Sequence, residues 1–239
     1  MIVPGWPGVT DDVAGLRRDP SALNGLRLKT IADHYAKIID GLPEKPIIMG
    51  HSFGGLITQL LLDRGLARAG VAVDSAQGAG IPVLPFSVIK SGSPILSKPW
   101  TRGKTVLLTP KQFHYAFANS VSLAEATRIS EELQIPGPGM PLWQAALNLF
   151  TNTGESKINY ANPGRAPLLF IAGGNDHVVP AKVNRKNAQK YHGAGTVTEV
   201  KEFPGRTHFT VGQDGWEEVA DYALNWASAH TSTPPPPQG

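Results

Sequence analysis

The sequence contains no cysteine, which excludes a disulfide framework, thiolate chemistry and any zinc site built on cysteine. That fits a reducing compartment, and a cytoplasmic location is the expectation. Charge is sparse as well. Charged residues make up 17% of the chain, and 22 basic against 19 acidic side chains leave a net charge of +3. So small and scattered an excess gives no footprint for nucleic acid. The densest basic group, Lys182, Arg185, Lys186 and Lys190, recurs at helical spacing and reads as one solvated helix face. No apolar run approaches the ~20 residues that span a bilayer. The start, Met1-Ile2-Val3-Pro4-Gly5-Trp6-Pro7-Gly8, lacks the basic residues and long apolar middle of a signal peptide.

What is present is enough for one large core: 239 residues, 41% of them hydrophobic. The most informative stretch is Ile47-Ile48-Met49-Gly50-His51-Ser52-Phe53-Gly54-Gly55. An apolar strand runs into Gly-x-Ser-x-Gly, and Leu56 to Leu62 continue as a helix-compatible run. A sharp strand-to-helix turn forces its central residue into strained backbone angles and needs small neighbours. Gly50 and Gly54 are expected to give that clearance, leaving the Ser52 hydroxyl projecting from the turn.

Around this elbow the pattern alternates. Leu28, Ile31, Tyr35, Ile38 and Leu42 recur at helical spacing, and Gly41 stops that helix. Pro46 to Met49 read as a strand, the elbow helix runs to about Arg64, and Val71 to Val73 form a short buried strand ending at Asp74. Between Gly78 and Pro163 the alternation is suspended. The part up to Pro110 is rich in Gly, Pro and Ser, with little periodicity. Helical patches follow at Lys111 to Ala118, Leu123 to Leu133 and Leu142 to Phe150. This reads as an insertion over the sheet whose aromatic residues mostly pack its own core. Strands and helices then resume: Ala166 to Ala172, Ala181 to Tyr191, Val197 to Phe203 and Trp216 to Ala229. The arrangement predicts an α/β fold with a mostly parallel, doubly wound sheet. Its divisions are a first core part at 1–77, a helical cap at 78–163, a second core part at 164–230 and a disordered proline-rich tail at 231–239.

Three loops beyond strand ends carry, in chain order, Ser52, Asp176 and His208. Serine is weakly nucleophilic at neutral pH and needs a base. Imidazole titrates in the right range, and a carboxylate fixes its tautomer and stabilises the imidazolium. Asp74, at the end of the strand after the elbow, is the alternative acid. His177 reads as a solvent or cap contact, and His51 as a side chain packed beside the elbow.

Gly50-His51-Ser52-Phe53-Gly54-Gly55, Gly173-Gly174-Asn175-Asp176-His177-Val178-Val179-Pro180 and Gly205-Arg206-Thr207-His208-Phe209 resemble the nucleophile, acid and histidine motifs of the α/β-hydrolase superfamily. The likeness is nearest to bacterial serine esterases and lipases with a helical cap. It implies that Ser52 is the nucleophile, His208 the base and Asp176 the acid, with the Phe53 backbone N–H donating to the oxyanion. Neither metal nor cofactor is implied. Serine at the elbow disfavours dehalogenase and epoxide hydrolase chemistry, which in this superfamily uses aspartate there. The implied activity is cleavage of small apolar carboxylic esters through an acyl-serine intermediate. Alternatives are perhydrolase, haloperoxidase-like or acyltransferase activity with the same triad, or a non-catalytic small-ligand-binding relative.

The resemblance also implies strands ahead of the Pro4-Gly5-Trp6-Pro7-Gly8 loop and a His-Gly loop carrying a second oxyanion donor. Neither precedes the elbow in this chain, so Met1-Ile2-Val3 reads as a strand stub and the chain as N-terminally truncated. The elbow strand is then expected at an exposed sheet edge, a place for self-association.

Overall fold

The computed structural model describes residues 3–191 and 195–231. At its centre is a four-stranded, all-parallel sheet. Its strands are β1 (Ile47–His51), β2 (Ala69–Val73), and, after a long excursion, two more: Leu168–Gly173 and Thr198–Phe203. The excursion contains a two-stranded antiparallel ribbon, β3 (Thr105–Val106) and β4 (Gly137–Pro138), so the last two sheet strands are β5 and β6. The order across the sheet is β1-β2-β5-β6.

The outer two parallel steps are each made by one crossover helix, α3 (Phe53–Asp63) between β1 and β2 and α8 (Ala181–Lys190) between β5 and β6, and the excursion makes the middle one. A short helix α1 (Val13–Arg18) and then α2 (Leu28–Asp40) precede the sheet, and α9 (Trp216–Thr231) follows it. Both sheet faces are covered. On one, Leu28 and Ile31 of α2 and Leu56, Leu60 and Leu61 of α3 close over Ala72, Leu168 and Phe170. On the other, Val219, Ala223 and Trp226 of α9 pack on Val71, Leu169 and Ile171. The inner strands β2 and β5 are therefore buried on every residue, as in a parallel sheet covered on both faces.

β1 pairs with β2 alone, and Met49 is 41% exposed, so the apolar elbow strand is an edge strand among the described residues. Met1 and Ile2 of the expected strand stub lie outside the described residues, and Val3 belongs to no strand. Thr231, read as the start of a disordered tail, instead ends α9, while 232–239 lie outside the described residues.

Between β2 and β5 lie four helices: α4 (Phe86–Leu96), α5 (Pro110–Ala116), α6 (Leu123–Leu133) and α7 (Met140–Leu147). The stretch up to Pro110, whose Gly, Pro and Ser content and weak periodicity predict no helix, nevertheless contains α4. Pro94 lies inside the helix and has no N–H for the Lys90 carbonyl. The Ser93 hydroxyl donates to that carbonyl instead, at 2.9 Å. Gly92 is buried where α4 faces Leu142 of α7. α5 starts with a capping box, Thr109 bonding the Gln112 N–H and the Gln112 side chain accepting from the Thr109 N–H. Phe113, Ala126 and Ile129 join α5 to α6, and Phe117 and Phe209 pack against them. Of the large apolar residues of the insertion, Phe113 is buried while Leu147 and Phe150 are exposed.

Candidate active site

The turn after β1 holds Ser52 at φ 56° and ψ −119°. Ser52 and Asp74 are the only non-glycine residues with positive φ among the described residues, and they end adjacent strands. Such angles are costly for L-residues and persist only where surrounding bonds enforce them. At Ser52 the N–H donates to the Val73 carbonyl, while its own carbonyl accepts from Gly55, Leu56 and Ala76. A Cβ on Gly50 would collide with the Gly54 carbonyl, so Gly50 is needed as glycine. Gly54 differs from expectation, since a Cβ there meets nothing within 4 Å. The second required glycine is Gly55, where a Cβ would lie 2.7 Å from Ser75.

The turn projects Ser52 Oγ to 2.9 Å from His208 Nε2. His208 Nδ1 lies 2.7 Å from Asp176 Oδ2. Asp176 Oδ1 accepts from the N–H groups of Val178 and Val179, at 2.7 and 2.8 Å, which fixes the carboxylate plane. His208 and Asp176 are buried. Burial alone would depress the His208 pKa, but the charge and hydrogen bond of Asp176, with the charge of Asp74, raise it above the ordinary histidine value.

The histidine loop is tied down by Arg206, whose guanidinium donates to the carbonyls of Asp214 (2.7 Å) and Gly215 (2.5 Å). Phe117, after α5, accepts from the Phe209 N–H at 3.0 Å and sets its ring 4.9 Å from His208, edge-on. His177 makes the expected contact with the insertion, its Nδ1 lying 2.9 Å from the Tyr115 carbonyl. The Phe53 N–H, at the first turn of α3, donates to no acceptor among the described residues.

Asp74 stands apart from the relay. Its Oδ1 accepts from the Gly173 N–H at 2.6 Å, and its buried Oδ2 has no hydrogen-bond partner among the described residues. Burial and the neighbouring Asp176 charge push its pKa up to about 7, against the opposing pull of His208 and the hydrogen bond from Gly173. His51 Nε2 lies 4.0 Å from Asp74 Oδ2 and 2.8 Å from the His208 carbonyl. Sequence reasoning placed His51 beside the elbow but missed this bond, which joins residues distant in sequence. His51, Asp74 and His208 bring one potential ligand atom each within 4.8 Å of the others. Both ring nitrogens of His208 are already engaged, by Asp176 and Ser52, so a cation could bind it only by displacing one of them.

A parallel sheet wound on both faces, with a serine on a strained turn between strand and helix, defines an α/β-hydrolase fold. The chain belongs to this family: the model of the "Alpha/beta hydrolase family" matches residues 2–222. Solved structures agree. The putative non-heme bromoperoxidase BpoC from Mycobacterium tuberculosis is 17% identical, with a TM-score of 0.64, and the match covers 95% of this chain and 80% of that one. The monoacylglycerol lipase of Paleococcus ferrophilus is 20% identical, TM-score 0.57, over 87% and 77%. A thermophilic esterase from Thermogutta terrifontis is 16% identical, TM-score 0.59, over 87% and 74%. At such identities the likeness is one of fold. No functionally curated protein matches the chain.

Proposed function

We propose that the protein is a serine hydrolase that cleaves small, uncharged carboxylic esters through an acyl-Ser52 intermediate. The observation that supports this is the continuous relay Ser52 Oγ, His208 Nε2, His208 Nδ1, Asp176 Oδ2, with links of 2.9 and 2.7 Å. His208 takes the Ser52 proton as Oγ attacks the ester carbonyl carbon. Asp176 holds the Nδ1–H tautomer and stabilises the imidazolium that forms. The developing oxyanion takes the uncommitted N–H of Phe53. Collapse of the tetrahedral intermediate breaks the C–O bond, and the imidazolium gives its proton to the leaving alkoxide. Water, deprotonated by the same imidazole, then releases the acid and regenerates Ser52. The Phe117 ring against His208 gives the site an apolar wall suited to an uncharged acyl group. Asp74 is left out of the relay because its carboxyl is turned to the Gly173 N–H.

A fluorophosphonate should label the native protein and leave Ser52→Ala unlabelled, and p-nitrophenyl butyrate should be turned over. Folded native protein that neither labels nor hydrolyses would overturn the assignment. A second reading keeps the acyl-enzyme and exchanges water for peroxide, motivated by the fold shared with the putative bromoperoxidase. The ratio of peracid to acid formed in hydrogen peroxide separates the two.

A further inference from the structure

The stretch between Asp74 and Glu125 holds none of the chain's 19 acidic residues but five of its cations: Lys90, Lys98, Arg102, Lys104 and Lys111. Five positive charges exceed the net +3 of the whole protein, so this stretch carries all of the excess and the remainder is net negative. The fold turns it into a surface. The exposed positions of α4 are Phe86, Ile89, Lys90 and Ser93, followed by Ser97 at its end, and they form one stripe at helical spacing. Phe86 is 76% exposed and Trp100, in the 3-10 turn Pro99–Gly103, is 65% exposed. Lys98, Arg102 and Lys104 surround that turn and are exposed.

α7 lies antiparallel to α4. Leu142 is beside Gly92, the Trp143 indole donates to Thr101, and at the other end the Asn148 carbonyl accepts from the Gly80 N–H. Exposed Leu147 and Phe150 close that other end. Beside it, Pro82–Pro85 and α8 border an open groove of about 370 Å³ that is lined by Lys182 and Lys186.

Large apolar side chains left in water over adjacent elements mark a contact surface. The charge selects the occupant. Two copies meeting through this face would bring Lys98 and Lys104 against like charge. An anionic bilayer supplies phosphates for the cations and an acyl boundary for Phe86, Ile89 and Trp100, and indole rings favour that boundary. We propose that the α4 stripe and the 99–103 turn dock the protein peripherally on anionic phospholipid surfaces. This goes beyond the ester-hydrolase reading and does not depend on it, because binding is measured without substrate.

The test is co-sedimentation of the full chain with phosphatidylcholine vesicles, with and without phosphatidylglycerol. Binding is expected only with phosphatidylglycerol and should weaken at high salt. Lys98→Ala and Lys104→Ala should each weaken it about five-fold. Phe86→Ser combined with Trp100→Ser should abolish it, with unchanged melting and unchanged turnover of p-nitrophenyl butyrate. No binding, equal binding to both vesicles, or binding indifferent to these variants would overturn the proposal. So would a dimer in sedimentation velocity that the Phe86→Ser, Trp100→Ser variant dissolves, which would assign the face to a second copy.

Discussion

His51 donates its Nε2–H to the main-chain carbonyl of His208, 2.8 Å away, and the two rings lie 4.7 Å apart. Burial and the neighbouring His208 charge hold the His51 pKa down to about 3, so the ring stays neutral and keeps this donor. Replacing it with alanine leaves a buried carbonyl without its donor, a loss of ~1–3 kcal/mol in stability. Because that carbonyl belongs to the proposed base, kcat for p-nitrophenyl butyrate should fall about ten-fold for ~1.4 kcal/mol of lost positioning, with KM little changed. Stability has a pH signature too. The unfolded state takes up a proton near 6.5 that the folded state refuses until about 3, so stability falls as pH drops through that window. His51→Gln should flatten this acid limb in urea titrations.

The two carboxyls near His208 predict opposite phenotypes. Asp176→Asn removes the acceptor that fixes the His208 tautomer and should lower kcat by about 10⁴. Asp74→Asn keeps an oxygen for the Gly173 N–H and should hold activity within about ten-fold. Its stability effect depends on pH. With a folded pKa of about 7 against 3.8, the Asp74 contribution is full below 3.8 and is lost as pH rises through about 7. Asp74→Asn should therefore match the native unfolding free energy at pH 4 and exceed it at pH 8, by about a few kcal/mol at most. A large activity loss in Asp74→Asn, with Asp176→Asn active, would reverse the assignment of the acid.

In the proposed mechanism His208 must be neutral to accept the Ser52 proton. Since Asp176 and Asp74 raise the His208 pKa, the rising limb of kcat/KM should have its midpoint above the unperturbed 6.5. Asp176→Asn should move that midpoint down in the residual activity.

Most of the fold was legible because its signals are local. Leu123 and its apolar repeats predict α6 residue for residue, and the elbow motif locates both β1 and α3. The order Ser52, Asp176, His208 follows from motifs at strand ends, and the relay forms among those three residues. What stayed hidden depends on contacts made only in three dimensions. The His51 bond spans 157 residues and the Asp74 bond to Gly173 spans 99. α4 was concealed for a local reason: Gly92 and Pro94 are both unfavourable in helices, and only the folded chain shows the Ser93 hydroxyl taking up the carbonyl that Pro94 leaves without a donor.

The elbow itself gives the sharpest test of how sequence becomes geometry. Gly-x-Ser-x-Gly treats Gly50 and Gly54 as equivalents, yet their surroundings differ. A methyl on Gly50 points into the Gly54 carbonyl, which is backbone and cannot swing aside without shifting the first turn of α3. Gly50→Ala should destabilise the fold by ~1–3 kcal/mol or more and abolish fluorophosphonate labelling, because that turn carries both Ser52 and the Phe53 N–H. Gly54 lies within α3, and a methyl there meets nothing within 4 Å. Gly54→Ala should fold with equal or greater stability, by roughly 0.5–1 kcal/mol, since alanine is the better helix former. Thermal melts and labelling of the two variants, side by side, decide it: equal damage at both positions would show that the motif, and not the clearance at Gly50, governs the turn.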